Sequence, residues 1–189
     1  VGFADMQSKA VYDLTSRQQL QFVLVGGIAN YLQVQTSVTN GLKDARSRSG
    51  LAALGWRYTR PSFVLTQRVS VVTGNFRDHG VRGQELGRGE THSLVWRGDL
   101  LRPLNAAWTV EGGARVESER TSQTLRQFRL VSNVLQVLSL QSVGADNTVA
   151  SGWGQLARRT AASGLAAGVR VSSASVGHWT AVSPWLLGE

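Results

Sequence analysis

The stretch from Ser93 to Glu117, SLVWRGDLLRPLNAAWTVEGGARVE, alternates apolar and polar residues on both sides of an Arg-Pro pair. Because successive side chains of a β-strand point to opposite faces, this spacing predicts a hairpin with one apolar and one charged face. Pro103, whose φ suits a tight turn, places the turn at 102–105. The apolar phase is Leu94, Trp96, Leu100, Trp108, Val110 and Val116, and the charged phase is Arg97, Asp99, Glu111, Arg115 and Glu117.

The same hairpin unit recurs along nearly the whole chain. Its turns fall at Arg17, Arg60, Arg102 and Arg158, which are 43, 42 and 56 residues apart. Eight strands result, and a ninth begins near His178. Longer polar segments, roughly 33–47, 75–89 and 118–147, join the opposite strand ends. Short connections on one side and long ones on the other predict an all-β, antiparallel, up-and-down transmembrane barrel, or part of one, of about 8–9 strands.

The composition narrows the function classes. No run of about 18 apolar residues is present, which excludes a transmembrane helix but not a barrel. The absence of cysteine excludes disulfides and thiolate metal sites. A net charge of +8 favours anionic partners, among them outer-membrane lipid and lipopolysaccharide. The basic residues are scattered and show no RNA-binding aromatic signature, so nucleic acid is not predicted as a partner.

Aromatic residues gather near the short turns on the apolar phase. Amphipathic rings prefer the membrane–water interface, so these positions predict an aromatic girdle. The girdle consists of Trp56, Tyr58, Phe63 and Trp108. Core aromatics of a soluble β protein are the alternative, because the alternation does not show which face meets lipid.

The charged phase supplies the candidate ligand-facing residues. If it lines a lumen, the lining contains Asp13, Arg57, Arg68, Arg97, Asp99, Glu111, Arg115, Glu117 and Arg170. Structural pairing across strands is the plainer role for such charges, and the segment 118–147 is a second candidate for ligand contact. The histidines are far apart, and no nucleophile–base pattern stands out, so no metal, cofactor or catalytic site is predicted.

The segments SLVWRGDLLRPLNAAWTVEGGARVE, TVASGWGQLARR and HWTAVSPWLLGE resemble the β-barrel domain of TonB-dependent outer-membrane receptors. The resemblance covers most of the chain and rests on the repeated hairpins rather than on one motif. It implies a barrel of about 22 strands, an N-terminal plug and a TonB box, with import of siderophore-iron, cobalamin or glycans. The plug and the TonB box are not identified here, so the resemblance implies a fragment that meets the TonB system only through the missing plug.

Taken together, these observations predict that residues 1–189 are one barrel segment in the bacterial outer membrane, with 118–147 as a long extracellular loop. Within that loop, the near-heptad spacing of apolar residues in 124–140 indicates either a short helix or a folded-over hairpin. The predicted function is that of a transport receptor wall without chemistry, and the ligand is left open. One alternative is a small self-contained outer-membrane barrel with a structural or adhesion role. A soluble β-barrel binding domain is the other.

Overall fold

The computed structural model describes residues 1–33, 38–161 and 163–188, and these form one antiparallel sheet. Each strand pairs with its neighbours in the chain, so the order is β1 to β9 without a crossover. The predicted all-β, up-and-down hairpin architecture is confirmed. The strands are β1 (Gly2–Thr15), β2 (Gln18–Leu32), β3 (Leu42–Arg60), β4 (Phe63–Gly80), β5 (Glu85–Pro103), β6 (Trp108–Val131), β7 (Val134–Arg159), β8 (Gly164–Ala174) and β9 (Trp179–Gly188).

One end of the sheet, called the short-turn end, carries the four predicted turns. Side chains organise these turns by accepting hydrogen bonds from backbone amides that the strands leave unpaired. Thr15 Oγ1 accepts from the amides of Arg17 and Gln18, at 3.2 and 3.1 Å. Asn105 Oδ1 likewise accepts from two amides, at 2.9 Å each. Asn and Thr therefore fix the hairpin connections locally.

The other end, called the distal end, differs from the expectation of long loops. Residues 118–147 form the outer halves of β6 and β7, which have 24 and 26 residues. The two strands meet at Ser132 and Asn133, whose φ values of 47° and 66° suit a two-residue hairpin turn. The predicted loop is therefore a protruding β-hairpin, and its extracellular location stays a prediction. The sequence pattern does not predict these strands, because polar residues occupy both phases. Backbone hydrogen bonds between strands form without any alternation of apolar and polar side chains.

Register divides the sheet into two faces of opposite character. Residues directly opposite one another share a face, so the pairs Trp96–Val116 and Arg97–Arg115 lie on opposite sides. The side with Trp96 is called the apolar face, and the side with Arg97 is called the polar face. Leu94 on the apolar face is 52% exposed, whereas the adjacent Ser93 is 8% exposed. Val95 and Asp99 on the polar face are also less exposed than Trp96 and Leu100 on the apolar face, so the polar face is the concave side of the sheet.

The sheet is open rather than closed into a barrel. Across the described ranges, β1 pairs only with β2 and β9 pairs only with β8. Every residue of β1 is exposed. The architecture is therefore a curved wall with two edge strands, which agrees with the partial-barrel alternative. No helix in these ranges is long and apolar enough to cross a membrane.

Candidate functional site

The nine predicted ligand-facing residues all lie on the polar face. Arg68 is opposite Arg97, and Arg97 is opposite Arg115. These pairings join β4, β5 and β6, and the remaining candidates follow by alternation and register. The set on this face is Asp13, Arg57, Arg68, Arg97, Asp99, Glu111, Arg115, Glu117 and Arg170. Three arginines thus stand in one row across three strands.

Two arginines of this row are neutralised along their own strands. Arg97 Nε and Nη2 donate to the carboxylate of Asp99, at 2.7 and 3.0 Å. Arg115 Nη2 donates to Glu117 Oε2 at 2.6 Å. These are the short distances of charge-assisted hydrogen bonds. The ion pairs run between residues two apart on one strand, not across strands as the sequence suggested.

Arg57 and Arg68 are the exceptions among the predicted residues. Both are exposed, and neither has an ion-pair or hydrogen-bond partner among the residues that the structure describes. They line a groove of about 520 Å³ whose other walls include Gln19, Gln21 and Trp153. The carboxylates of Asp99 and Glu111 also line the groove, but they already accept hydrogen bonds from other side chains. The two free guanidinium groups therefore favour a negatively charged or acceptor-rich occupant.

Aromatic rings on the polar face lie over glycines of the neighbouring strand. Trp153 is directly opposite Gly113, and a Cβ on Gly113 would lie 2.6 Å from Trp153 Nε1. Trp185 has the same relation to Gly168, with its ring in the space of the missing side chain. The rings therefore lie along the wall. Alternation alone missed these tryptophans, although a glycine opposite each one was a usable signal.

Glutamines, which were not among the predicted residues, also line the polar face. Gln155 Nε2 donates to Glu111 Oε2 at 2.9 Å, and Trp185 Nε1 donates to Gln155 Oε1 at 3.3 Å. Gln19 Nε2 donates to Asp13 Oδ1 at 2.8 Å. Carboxylates without an arginine beside them are thus held by amides. Glu111 and Asp13 are therefore structural members of the wall.

Part of the polar face is apolar. Val25, Leu51 and Val72 occupy one row across β2, β3 and β4, directly opposite one another. Around Val25 on β2, the side chains on this face are small and apolar, whereas a water-filled lumen is expected to be lined by polar residues. Val72 is 37% exposed. Such a patch favours contact with another apolar surface over contact with water.

The apolar face carries a continuous apolar band across the half of the sheet next to the short-turn end. On β4 and β6 it runs from Phe63 to Val71 and from Trp108 to Val116, about nine residues each, with Gln67 as the polar exception. A tilted strand needs about 9–11 residues to cross a bilayer. The band therefore has the width of a membrane.

The four predicted girdle residues lie on the apolar face near the short-turn end. Trp56 and Tyr58 stack with centroids 5.9 Å apart, and Tyr58 meets Phe63 edge-on at 5.7 Å. Trp108 lies apart from them, with the Arg158 guanidinium 5.6 Å from its ring centroid. Three of the four are thus one cluster. Their interfacial role remains a prediction.

Side chains cross between elements at the distal end. Asn40 donates from Nδ2 to the carbonyl of Phe128 and accepts at Oδ1 from its amide, at 3.0 and 2.8 Å. Arg126 Nη1 donates to Glu85 Oε1 at 2.8 Å. Among the described residues, no three His, Asp or Glu side chains are placed to share a metal ion. The distal contacts instead steady the protruding hairpin.

Two carboxyl groups near the distal end have shifted acidities. Burial raises the pKa of Asp78, and the adjacent His79 offsets part of that rise. The pKa of Asp146 is held below its usual value, chiefly because Arg120 donates hydrogen bonds to the carboxylate at 2.7 and 3.0 Å. Both groups lie beyond the apolar band.

Comparisons with known proteins agree with this architecture. No protein family model and no curated protein matches the sequence. Solved structures match over nearly the whole chain. The outer membrane transporter YddB from Escherichia coli matches 98% of it with a TM-score of 0.66 and 9% identity. The siderophore receptor PirA from Acinetobacter baumannii matches 97% of the chain with a TM-score of 0.68 and 10% identity. The RagAB peptide transporter matches 98% of the chain with a TM-score of 0.63 and 10% identity.

These similarities concern part of much longer proteins. The chain spans 29% of YddB, and 30% of both PirA and the RagAB chain. At such low identity the likeness is one of fold. The resemblance to the barrel of TonB-dependent outer-membrane receptors is therefore confirmed as the fold of a partial barrel wall.

Proposed function

We propose that this chain is a section of the wall of an outer-membrane transport receptor. The observation that carries the proposal is the division of one sheet between an exposed apolar band and a concave polar face. In this arrangement the apolar face contacts lipid, and the polar face lines the lumen. The wall passes or holds a ligand and performs no chemistry on it.

The ligand class stays open within this proposal. PirA is a siderophore receptor and RagAB is a peptide transporter, so the shared fold serves different cargoes. Arg57 and Arg68 are the proposed points of contact for a ligand or a plug, because their guanidinium groups have no partner in the described chain. The patch of Val25, Leu51 and Val72 gives a plug an apolar surface to pack against. Coupling to TonB would act through that plug.

The two alternatives lack a supporting observation. A soluble domain would hide its apolar phase, whereas Leu54, Leu94 and Leu165 are 53%, 52% and 51% exposed. A self-contained barrel needs its first and last strands to pair, and the described strands β1 and β9 do not. We propose instead that further strands join both edges, so that residues 1–189 are a fragment of a larger barrel.

Cysteine scanning of β5 tests the wall. The chain has no cysteine, so single replacements such as Leu94→Cys and Val95→Cys can each carry one spin label. In lipid vesicles, labels at 94, 96 and 100 should be accessible to oxygen, which concentrates in lipid. Labels at 95, 97 and 99 should be accessible to a water-soluble nickel chelate. The proposed orientation of the sheet is refuted if both sets of labels show the same accessibility, or if the labels on the apolar phase are the ones accessible to the nickel chelate.

A further inference from the structure

A second row of arginines lies on the apolar side of the sheet at the distal end. Arg46 is directly opposite Arg77, and Arg77 is directly opposite Arg88, on β3, β4 and β5. Opposed residues have Cβ atoms about 4.5–5.5 Å apart, and like charges in such pairs repel. Arg48 lies two positions along β3 from Arg46, on the same side. The row is called the outer arginine row.

Unlike the row on the polar face, this one is poorly neutralised. Arg46 Nε is 3.5 Å from Asp44, and Arg88 Nε is 3.8 Å from Glu85, both longer than charge-assisted hydrogen bonds. Glu85 is held more closely by Arg126, at 2.8 Å. Arg48 and Arg77 are exposed and have no ion-pair or hydrogen-bond partner in the described ranges. The row therefore presents an excess of free cationic donors.

The position of the row indicates what neutralises it. Arg48 lies four residues from Ala52 toward the distal end, which is about 13 Å along the strand and about 9 Å in depth at a tilt of about 45°. Arg46 and the rest of the row lie two residues farther out, at about 14 Å in depth. Arginine side chains reach back toward the interface from such a depth. The row also lines a groove of about 960 Å³ that includes Lys43 and Asn75. The carboxylates of Asp44 and Glu90 line it too, so its five Lys and Arg side chains outnumber its acidic ones. An occupant must combine anionic groups with hydrocarbon that continues over the apolar band.

We propose that the outer arginine row, with Arg48, binds the phosphate groups of an anionic lipid headgroup in the adjoining leaflet. The planar guanidinium fork matches phosphate oxygens in a bidentate manner, and three aligned forks suit a headgroup with more than one phosphate. The lipid offsets the repulsion within the row, because its phosphates lie between the cations. This inference rests on the proposed function, since it requires the apolar band to face lipid.

Lipid retention tests the proposal. The protein is reconstituted in phosphatidylcholine vesicles containing diphosphorylated lipid A, extracted in neutral detergent, and assayed for bound lipid A by mass spectrometry. Arg77→Gln should lower retention about fivefold, since one arginine near an anionic headgroup contributes about 1 kcal/mol. The matched control is Arg102→Gln, on the apolar face of β5 at the short-turn end, which should retain the wild-type amount. Equal retention in the two variants overturns the proposal.

Two further readouts keep the outcome unambiguous. Inorganic phosphate added in excess should leave retention unchanged, and displacement by it would show a free-phosphate site instead of a lipid site. Arg77→Gln removes repulsion, so it should unfold at higher urea than wild type in pure phosphatidylcholine and lose that advantage with lipid A. Heat-modifiable migration of each sample is checked first. A complete protein, with the strands that close both edges, that fails to insert contradicts the proposed function, whereas an inserted protein without lipid retention contradicts only this inference.

Discussion

At the residue scale, Gly113 shows how the wall holds an aromatic ring without filling the lumen. A Cβ at this position would lie 2.6 Å from Trp153 Nε1 and 2.9 Å from the carbonyl oxygen of Gly98. The carbonyl belongs to the paired backbone of β5 and has little room to move. Any side chain at residue 113 therefore displaces the indole and strains the pairing between strands.

We therefore expect Gly113→Ala to lower the free energy of unfolding by about 1–3 kcal/mol, the usual cost of overpacking. Gly152→Ala is the matched control, because a Cβ there has its nearest neighbour at 3.8 Å. Urea titration in lipid vesicles, followed by tryptophan fluorescence, compares the two variants. Similar losses in both would show that the contact between Trp153 and Gly113 is unimportant.

The carboxyl groups of Asp78 and Asp146 should affect stability with opposite dependence on pH. The raised pKa of Asp78 means that folding disfavours its charged form, so stability falls as pH rises from the ordinary carboxyl pKa through the raised one. The lowered pKa of Asp146 means that its contribution is present above the ordinary pKa and is lost as pH falls through the lowered one.

Asparagine substitutions separate the two effects. Relative to wild type, Asp78→Asn should gain stability at pH 7 and lose that gain in acid. Asp146→Asn should lose stability at pH 7 and match wild type in acid, with a small effect because both partners are fully exposed. Urea midpoints at pH 3 and pH 7 provide the measurement. The same sign of change for both variants at pH 7 would contradict this assignment.

At the scale of elements, Asn40 links the connection before β3 to the protruding hairpin. Its amide group satisfies both the carbonyl and the amide of Phe128, beside an irregularity in the pairing of β6 with β7. The pairing of β5 with β6 ends at Gly87 and Leu125, so Phe128 has no partner on β5. Asn40 therefore substitutes for a strand at that edge.

Asn40→Ala should raise the hydrogen-exchange rate of the Phe128 amide, because that amide loses its acceptor. Asn40→Asp retains an acceptor oxygen and should leave the same amide protected. Exchange monitored by mass spectrometry on peptides covering 124–131 distinguishes the variants. Unchanged exchange in Asn40→Ala would indicate that the hairpin is held by its own pairing alone.

Sequence reasoning identified the strands wherever one phase was consistently apolar, as on β5 from Leu94 to Leu100. It treated 118–147 as a long loop containing either a short helix or a folded-over hairpin, because residues such as Glu119, Arg120 and Ser122 place polar side chains on both faces. Backbone pairing extends those strands without any signal of alternation. Strand existence near the band was therefore predictable, and strand length beyond it was not.

The candidate site was predictable as a face but not as a set of contacts. Alternation correctly grouped Arg97, Asp99 and Arg115. It did not reveal that Arg97 pairs with Asp99 on its own strand, because that choice depends on side-chain rotamers. The outer arginine row was missed for a different reason. Its members come from three strands, and only their register brings them together.

At the scale of the whole molecule, the open sheet is incompatible with the hydrocarbon environment that its apolar face requires. The edge of β1 that faces away from β2 carries unpaired backbone groups along Gly2–Thr15. Each such group costs several kcal/mol in lipid, so membrane sheets close completely. The apolar band and the two edges are compatible only if both edges are paired, either with each other or, as we propose, with further strands.

In the membrane-embedded protein we therefore expect the β1 amides that point away from β2 to be as protected from hydrogen exchange as the β1 amides that are bonded to β2. The turn residue Ser16 serves as the exchanging reference, since it lies outside the strands. Closure by additional strands also predicts that single cysteines on β1 and β9, such as Val11→Cys and Ser183→Cys, do not form a disulfide within one chain. Free exchange along β1 would refute closure of any kind. Protection accompanied by an efficient β1–β9 disulfide would show that nine strands close alone, and the larger barrel would then be wrong.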